Sequence, residues 1–217
     1  SGTPLTIAAG ASLDMSGFNL AVGSLAGAGT LTSSATGNLV FTTGNDTTST
    51  TFSGLIENGS ATNLGLTKTY SGTLTLSGTS TYPGPTNINT GVINIQNGSA
   101  LGNSSLTTVE SNATLQLQGG ITVGALPLTL KGLGVSSTGA LRNISGNNTW
   151  GGTITLVTSV ARINSNAGLL TLSASNTVNS STNIGLTFGG AANTLVSGSI
   201  SIGSGILSKD SSGTLTL

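Results

Sequence analysis

The stretch "LTKTYSGTLTLSG" occupies residues 66–78, and "LSKDSSGTLTL" occupies residues 207–217. Eight of the eleven positions aligned between Leu66–Leu76 and Leu207–Leu217 agree, including an unbroken SGTLTL. Inside that block Leu alternates with Thr, the period-two pattern of a half-buried strand. The pattern recurs as "ATLQL" at 113–117, "GTITL" at 152–156 and "GLLTL" at 168–172. One side of each strand is Leu or Ile and the other is Thr or Gln. The turn signals "SGTS", "GLGVS", "SGNN", "NSNAG" and "SASN" bracket these strands.

Composition agrees with the pattern. The 217 residues include 34 glycines, with 5% charged and 3% aromatic side chains. Globular chains carry about 25% charged residues. Thr, Ile and Val suit pleated strands, and Gly, Asn and Ser suit turns. Strong helix formers are scarce. The chain reads as all-β.

Segments resembling one another lie far apart. Strand motifs begin at Gly29, Gly72, Ala113, Gly152 and Gly213, spaced by roughly 40 residues with one longer gap. A second echo relates "LTIAAGASLDMSG" (5–17) to "LTTVESNATLQLQGG" (106–120). A sandwich or barrel would also give many short strands. Three features favour a stacked solenoid: few large rings, a uniform set of Leu, Ile and Val that can stack on copies of themselves, and Asn or Ser at strand ends where they can bond from coil to coil. A parallel β-helix uses all three. At about 20 residues per coil the chain makes about ten coils.

The inventory of reactive groups is short. There is no histidine and no cysteine, which removes a Ser-His-Asp triad, His or thiolate metal ligation and thiol catalysis. The acids Asp14, Asp46, Glu57, Glu110 and Asp210 are not spaced one coil apart, as paired carboxylates on neighbouring coils would be. No catalytic, cofactor or metal site is expected. Net charge is zero, and the bases Lys68, Lys131, Arg142, Arg162 and Lys209 are scattered. A duplex binder needs several on one face, so nucleic acid is not an expected partner. No apolar run approaches the ~20 residues of a membrane helix, and no insertion of this segment into a membrane is expected. Trp150, Tyr82 and Tyr70 could stack on sugars if exposed; Trp150 and Tyr82 are taken as the candidate glycan contacts.

The stretch from Leu66 to Leu101 resembles the passenger-associated repeat of autotransporter proteins. The matching positions are Leu66, Lys68, Gly72, Thr73, Leu74, Leu76, Gly78, Tyr82, Gly84, Thr86, Ile88, Gly91, Ile93 and Ile95. Tyr70 stands where the family usually has Gly, and Pro83 and Pro85 flank Gly84; Pro85 removes a ladder donor, so a turn that faces outward or bulges is expected there. The resemblance implies a right-handed parallel β-helix exported through the outer membrane of a Gram-negative-type cell and displayed outside it. The aromatic-girdled strands of a membrane barrel are not found within the chain.

Residues 1–217 are therefore expected to form one β-helix segment, part of a longer repeat protein. The expected role is that of a non-catalytic surface stalk or adhesin. The alternatives are a self-stacking filament subunit and a glycan-binding module, with partners among further copies of itself or cell-surface glycans and proteins. For the filament, the stacking strand would carry Leu215 and Leu217, at the edge of the last repeat.

Overall fold

A computed structural model describes residues 2–175 and 177–217. Ser1 and Asn176, the last residue of the turn expected at 173–176, lie outside the described residues. The chain forms three ladders of parallel strands, visited in a fixed order. The first face begins with Leu5–Ile7, the second with Ser12–Asp14 and the third with Leu20–Ala21; Leu25–Gly27 then returns to the first face. Each circuit advances one coil, and pairing steps run from 18 residues (Ser12 to Thr30) to 29 (Gly132 to Ala161, across a register shift). The result is a parallel β-solenoid of about ten turns. At ~4.8 Å between strands it makes a rod about 50 Å long.

The first face continues through Thr50–Phe52, Thr73–Leu76, Gly91–Ile95, Ala113–Gln118 and Leu141–Ser145. It ends with Gly185–Gly189 and Leu207–Lys209. The third face includes Asn38–Thr43, Asn63–Lys68, Thr86–Ile88, Thr107–Val109 and Leu128–Gly132. The long strand Ile154–Ser165 serves both, pairing on the third face with its first half and on the first face with its second. The second face is interrupted. Its strands Ser12–Asp14, Thr30–Thr32 and Leu55–Ile56 form one block, and Thr122–Val123 starts another that runs to Leu215–Thr216. The intervening coils pass the second face without a strand, and there the Tyr82 ring fills the interior, its hydroxyl 2.8 Å from Thr86 Oγ1.

Alternation decides what points inward. On the first face Leu74, Ile93, Leu115, Leu141, Ile163 and Phe188 stand in register, all buried. Each apolar side chain therefore packs on one above and one below. The outward row beside them is polar. Asn94 Nδ2 donates to Gln116 Oε1 and Gln118 Oε1, each at 3.1 Å, so amides link successive coils. Corners are tied in the same way. Asn19, Asn147, Asn183 and Asn193 each accept a hydrogen bond through Oδ1 from a backbone N–H one coil later. The expected coil-to-coil bonding by Asn is observed. Among the described residues the one helical element is the single 3₁₀ turn Val135–Ser137, and no helix is long and apolar enough to cross a membrane.

The roughly 40-residue repeat does not correspond to the coil. Gly72 and Ala113 open first-face strands two coils apart, but the motifs starting at Gly29 and Gly213 lead onto the second face and Gly152 onto the third. A short alternating strand serves any face, because each face demands the same in–out pattern.

Candidate functional site

The two copies of LxKxxSGTLTL occupy different corners of the rod. Leu66–Lys68 ends a third-face strand and Thr73–Leu76 begins a first-face strand. Leu207–Lys209 ends a first-face strand and Leu215–Thr216 lies on the second face. What repeats is the corner itself. In both copies the lysine sits at an inward position of its strand: Lys68 is in register with Thr43 and Ile88, and Lys209 with Phe188. The ammonium then turns back onto the corner. Lys68 Nζ donates to the carbonyls of Thr69 (2.7 Å) and Tyr70 (2.9 Å). Lys209 Nζ donates to the carbonyls of Asp210 and Ser211, the latter at 3.1 Å. The residue two after each lysine is left-handed, Tyr70 at φ 56° and Ser211 at φ 61°. A non-glycine residue in that region costs on the order of 1–3 kcal/mol, and the lysine's bonds to the carbonyls hold it there.

Lys68 is 1% exposed. Burial pulls its amine down to about 8, a fall that the nearby Asp46 carboxylate partly opposes. Tyr70, by contrast, is 54% exposed. Its ring stands on the outer edge of the corner, beside a cleft of about 360 Å³ lined by Thr69, Tyr70, Ser71, Asn89 and Thr90. The cleft lies between the turns of two successive coils, which Asn89 N–H joins by donating to the Lys68 carbonyl.

The candidate glycan contacts Trp150 and Tyr82 are both fully buried, which corrects their assignment. Each sits at an inward strand or turn position, and its ring fills the interior of the rod. Tyr82 reaches a hydroxyl partner in Thr86, and burial drives its phenol upward. Tyr70 is the aromatic residue that reaches solvent at a cleft. The available signal was its place in the motif: a turn position that the second copy fills with Ser211.

The remaining motif positions form one stretch of interior. Leu66, Leu74, Leu76, Thr86, Ile88, Ile93 and Ile95 are buried. Thr73 lies outward of Leu74. Gly72 and Gly91 turn the chain at φ 94° and 77°. Gly78 and Gly84 permit close approach: a methyl group at Gly84 would lie 2.3 Å from the Leu64 carbonyl oxygen, which accepts the Gly84 N–H at 2.9 Å. Pro85 is partly exposed, and its carbonyl accepts the Leu66 N–H at 2.9 Å, so the chain stays paired through its acceptor where the ring removes the donor.

Four of the five acids are separately engaged. Asp14 Oδ1 accepts from the Ser16 and Ser34 backbone N–H groups, both at 2.8 Å, and bonding from Ser34 holds its carboxyl at about 2. Asp46 Oδ1 accepts from Thr48 N–H at 2.9 Å. Glu110 pairs with Lys131 at 2.6 Å. Arg162 clasps Asp210 through both terminal nitrogens at 2.7 and 2.8 Å. That clasp skips a coil and passes over Gly189, where a methyl group would meet Arg162 Nη2 at 2.0 Å. Among the described residues no three acids gather as a metal site. At the far end, Leu215 pairs with Thr194 on one side, and Leu217 is exposed.

No curated protein and no solved structure matches this chain. Residues 66–95, from the Lys68 corner to the end of the first-face strand Gly91–Ile95 one coil beyond it, match the family model described as the passenger-associated-transport-repeat. That repeat, set in a parallel β-solenoid of about ten turns, fits an autotransporter passenger domain.

Proposed function

We propose that the segment is a non-catalytic rod on the outside of the cell, a stalk that holds attached parts or its own lateral surface away from the outer membrane. The observation that carries this reading is the unbroken pairing of the first and third faces from one turn to the next. Every step is a parallel ladder with apolar residues stacked inside it, which makes a stiff body of defined length. The disposition of four of the five acids supports a role without catalysis. Asp14 and Asp46 bind corner amides, while Glu110 and Asp210 are held by basic side chains. The repeat at 66–95 supports export as a passenger, and hence a surface or extracellular location.

The test has two arms. The purified chain, incubated with a panel of bacterial and plant polysaccharides, is expected to release no oligosaccharide. Cleavage that disappears when one acid is changed to its amide would replace the stalk with an enzyme. Antibody raised against the segment is expected to label intact cells of the source organism, and labelling only after lysis would refute surface display.

A further inference from the structure

We infer that the cleft at the Tyr70 corner is a binding site for a neutral saccharide, with the Tyr70 ring as its platform. The inference does not rest on the stalk reading, since a rod with or without a mechanical role can carry such a site. Three observations converge. The first is a comparison within the chain. The corner motif builds the same left-handed turn with Ser211 in its second copy and with Tyr70 in the first. The turn therefore does not require a ring at this position, and a large aromatic side chain is held outward, 54% exposed, on backbone that disfavours any side chain.

The second observation is the surroundings of the ring. The cleft of about 360 Å³ falls within the range of about 300–1,000 Å³ typical of small-ligand sites. Of its other lining residues, Ser71 and Thr90 carry hydroxyls and Asn89 an amide, while the Thr69 hydroxyl donates to the Thr43 carbonyl at 3.3 Å. An apolar ring face beside short polar groups matches a pyranose, which has one face of C–H groups and a rim of hydroxyls.

The third observation is charge. Lys68 belongs to the same corner, but its ammonium is turned onto the Thr69 and Tyr70 carbonyls, and the side chain is buried. No charged side chain lines the cleft. An acidic sugar or a basic peptide would find no counter-charge, so the occupant is a neutral sugar. With a single ring and an open cleft, a dissociation constant on the order of 1 mM is expected.

The experiment is a titration of the ¹⁵N-labelled chain with maltotetraose, cellotetraose, mannotetraose and chitotetraose, and with trigalacturonate as the acidic counterpart. Each is taken to about 20 mM, well above a millimolar dissociation constant. At least one neutral tetrasaccharide is expected to shift the amide resonances of residues 69–71 and 89–90, with those of the Trp150 strand unmoved. Tyr70→Gly relaxes the left-handed turn, so it is expected to fold at least as stably as the parent and to weaken the titration tenfold or more. Should Tyr70→Gly fail to fold, Tyr70→Ser, which copies the second corner, replaces it. Silence from all four neutral sugars, shifts that persist in the folded variant, or a response to trigalacturonate alone would each overturn the inference.

Discussion

At the scale of single residues, Lys68 shows how a strand pattern can place a charge inside. The alternation Leu66–Thr67–Lys68 sends residues 66 and 68 inward, and Lys68 escapes full isolation by bending its ammonium onto two corner carbonyls. Its amine is pulled down to about 8 by burial, from an ordinary value of 10.5. Between those values the unfolded chain binds more protons than the folded one, so unfolding free energy rises with pH in that interval. The effect is lost as pH falls toward 8, where the folded amine also becomes charged. The slope is at most about 1.4 kcal/mol per pH unit. Denaturant titrations at pH 8, 9 and 10 are expected to show wild type gaining on Lys68→Met; parallel curves would mean that the amine is not desolvated. The Arg162–Asp210 clasp gives a second residue-scale expectation. Asp210 lies low because Arg162 hydrogen-bonds it. Gly189→Ala places a methyl group against the guanidinium, so the Asp210 carboxyl, followed by NMR, is expected to move up toward the ordinary carboxylate range. The stability change from the lost pair itself should stay within about 1 kcal/mol, as for exposed ion pairs.

At the scale of strands and corners, in–out alternation makes the two sides of one strand energetically unequal. Leu115 lies between Ile93 and Leu141 in the stacked column and is fully buried. Leu115→Ala is expected to cost about 2–5 kcal/mol by cavity formation. Gln116→Ala, one residue along and facing outward, removes one amide link to Asn94 and is expected to cost no more than about 1 kcal/mol. Urea denaturation of the two variants checks the contrast, and comparable losses would mean that the column is not the main source of stability. This asymmetry is also why the strands were legible in the sequence. Alternation at 72–76 and 113–117 required nothing beyond period two, and both stretches lie on strands. Which face each strand joins was not legible. Face is set by the number of corners passed, and corner lengths vary, as steps of 18 residues (Ser12 to Thr30) and 27 (Thr122 to Thr149) show. The same ambiguity misplaced the glycan contacts. Trp150 sits in "NTW", an alternating strand whose inward parity depends on its partner Leu172, while Tyr70 sits in a turn, where parity gives no guidance.

For the molecule as a whole, the last turn of this 217-residue polypeptide is paired on one side, through Gly185–Gly189 and Thr194–Val196. End-to-end stacking of copies through Leu207–Lys209 and Leu215–Thr216 is the alternative to a solitary rod. Under it, light scattering at rising concentration is expected to show growing species, and Leu215→Lys is expected to stop the growth while leaving the circular dichroism of the rod unchanged. A monodisperse particle at high concentration would eliminate stacking. The repeated corner has a wider consequence. From Leu66 the third-face register passes through Thr86, Thr107, Leu128, Ile154, Val178 and Ile200, six full circuits, before the chain moves on one side to Leu207. The two copies thus stand six and one-third circuits apart. A duplicated stretch of gene need not encode whole circuits to be accommodated; it has only to begin and end at an edge of the prism. Such a lineage could lengthen its rods in increments of one side, each worth about a third of the ~4.8 Å rise, and every such addition would rotate all that follows by one facet.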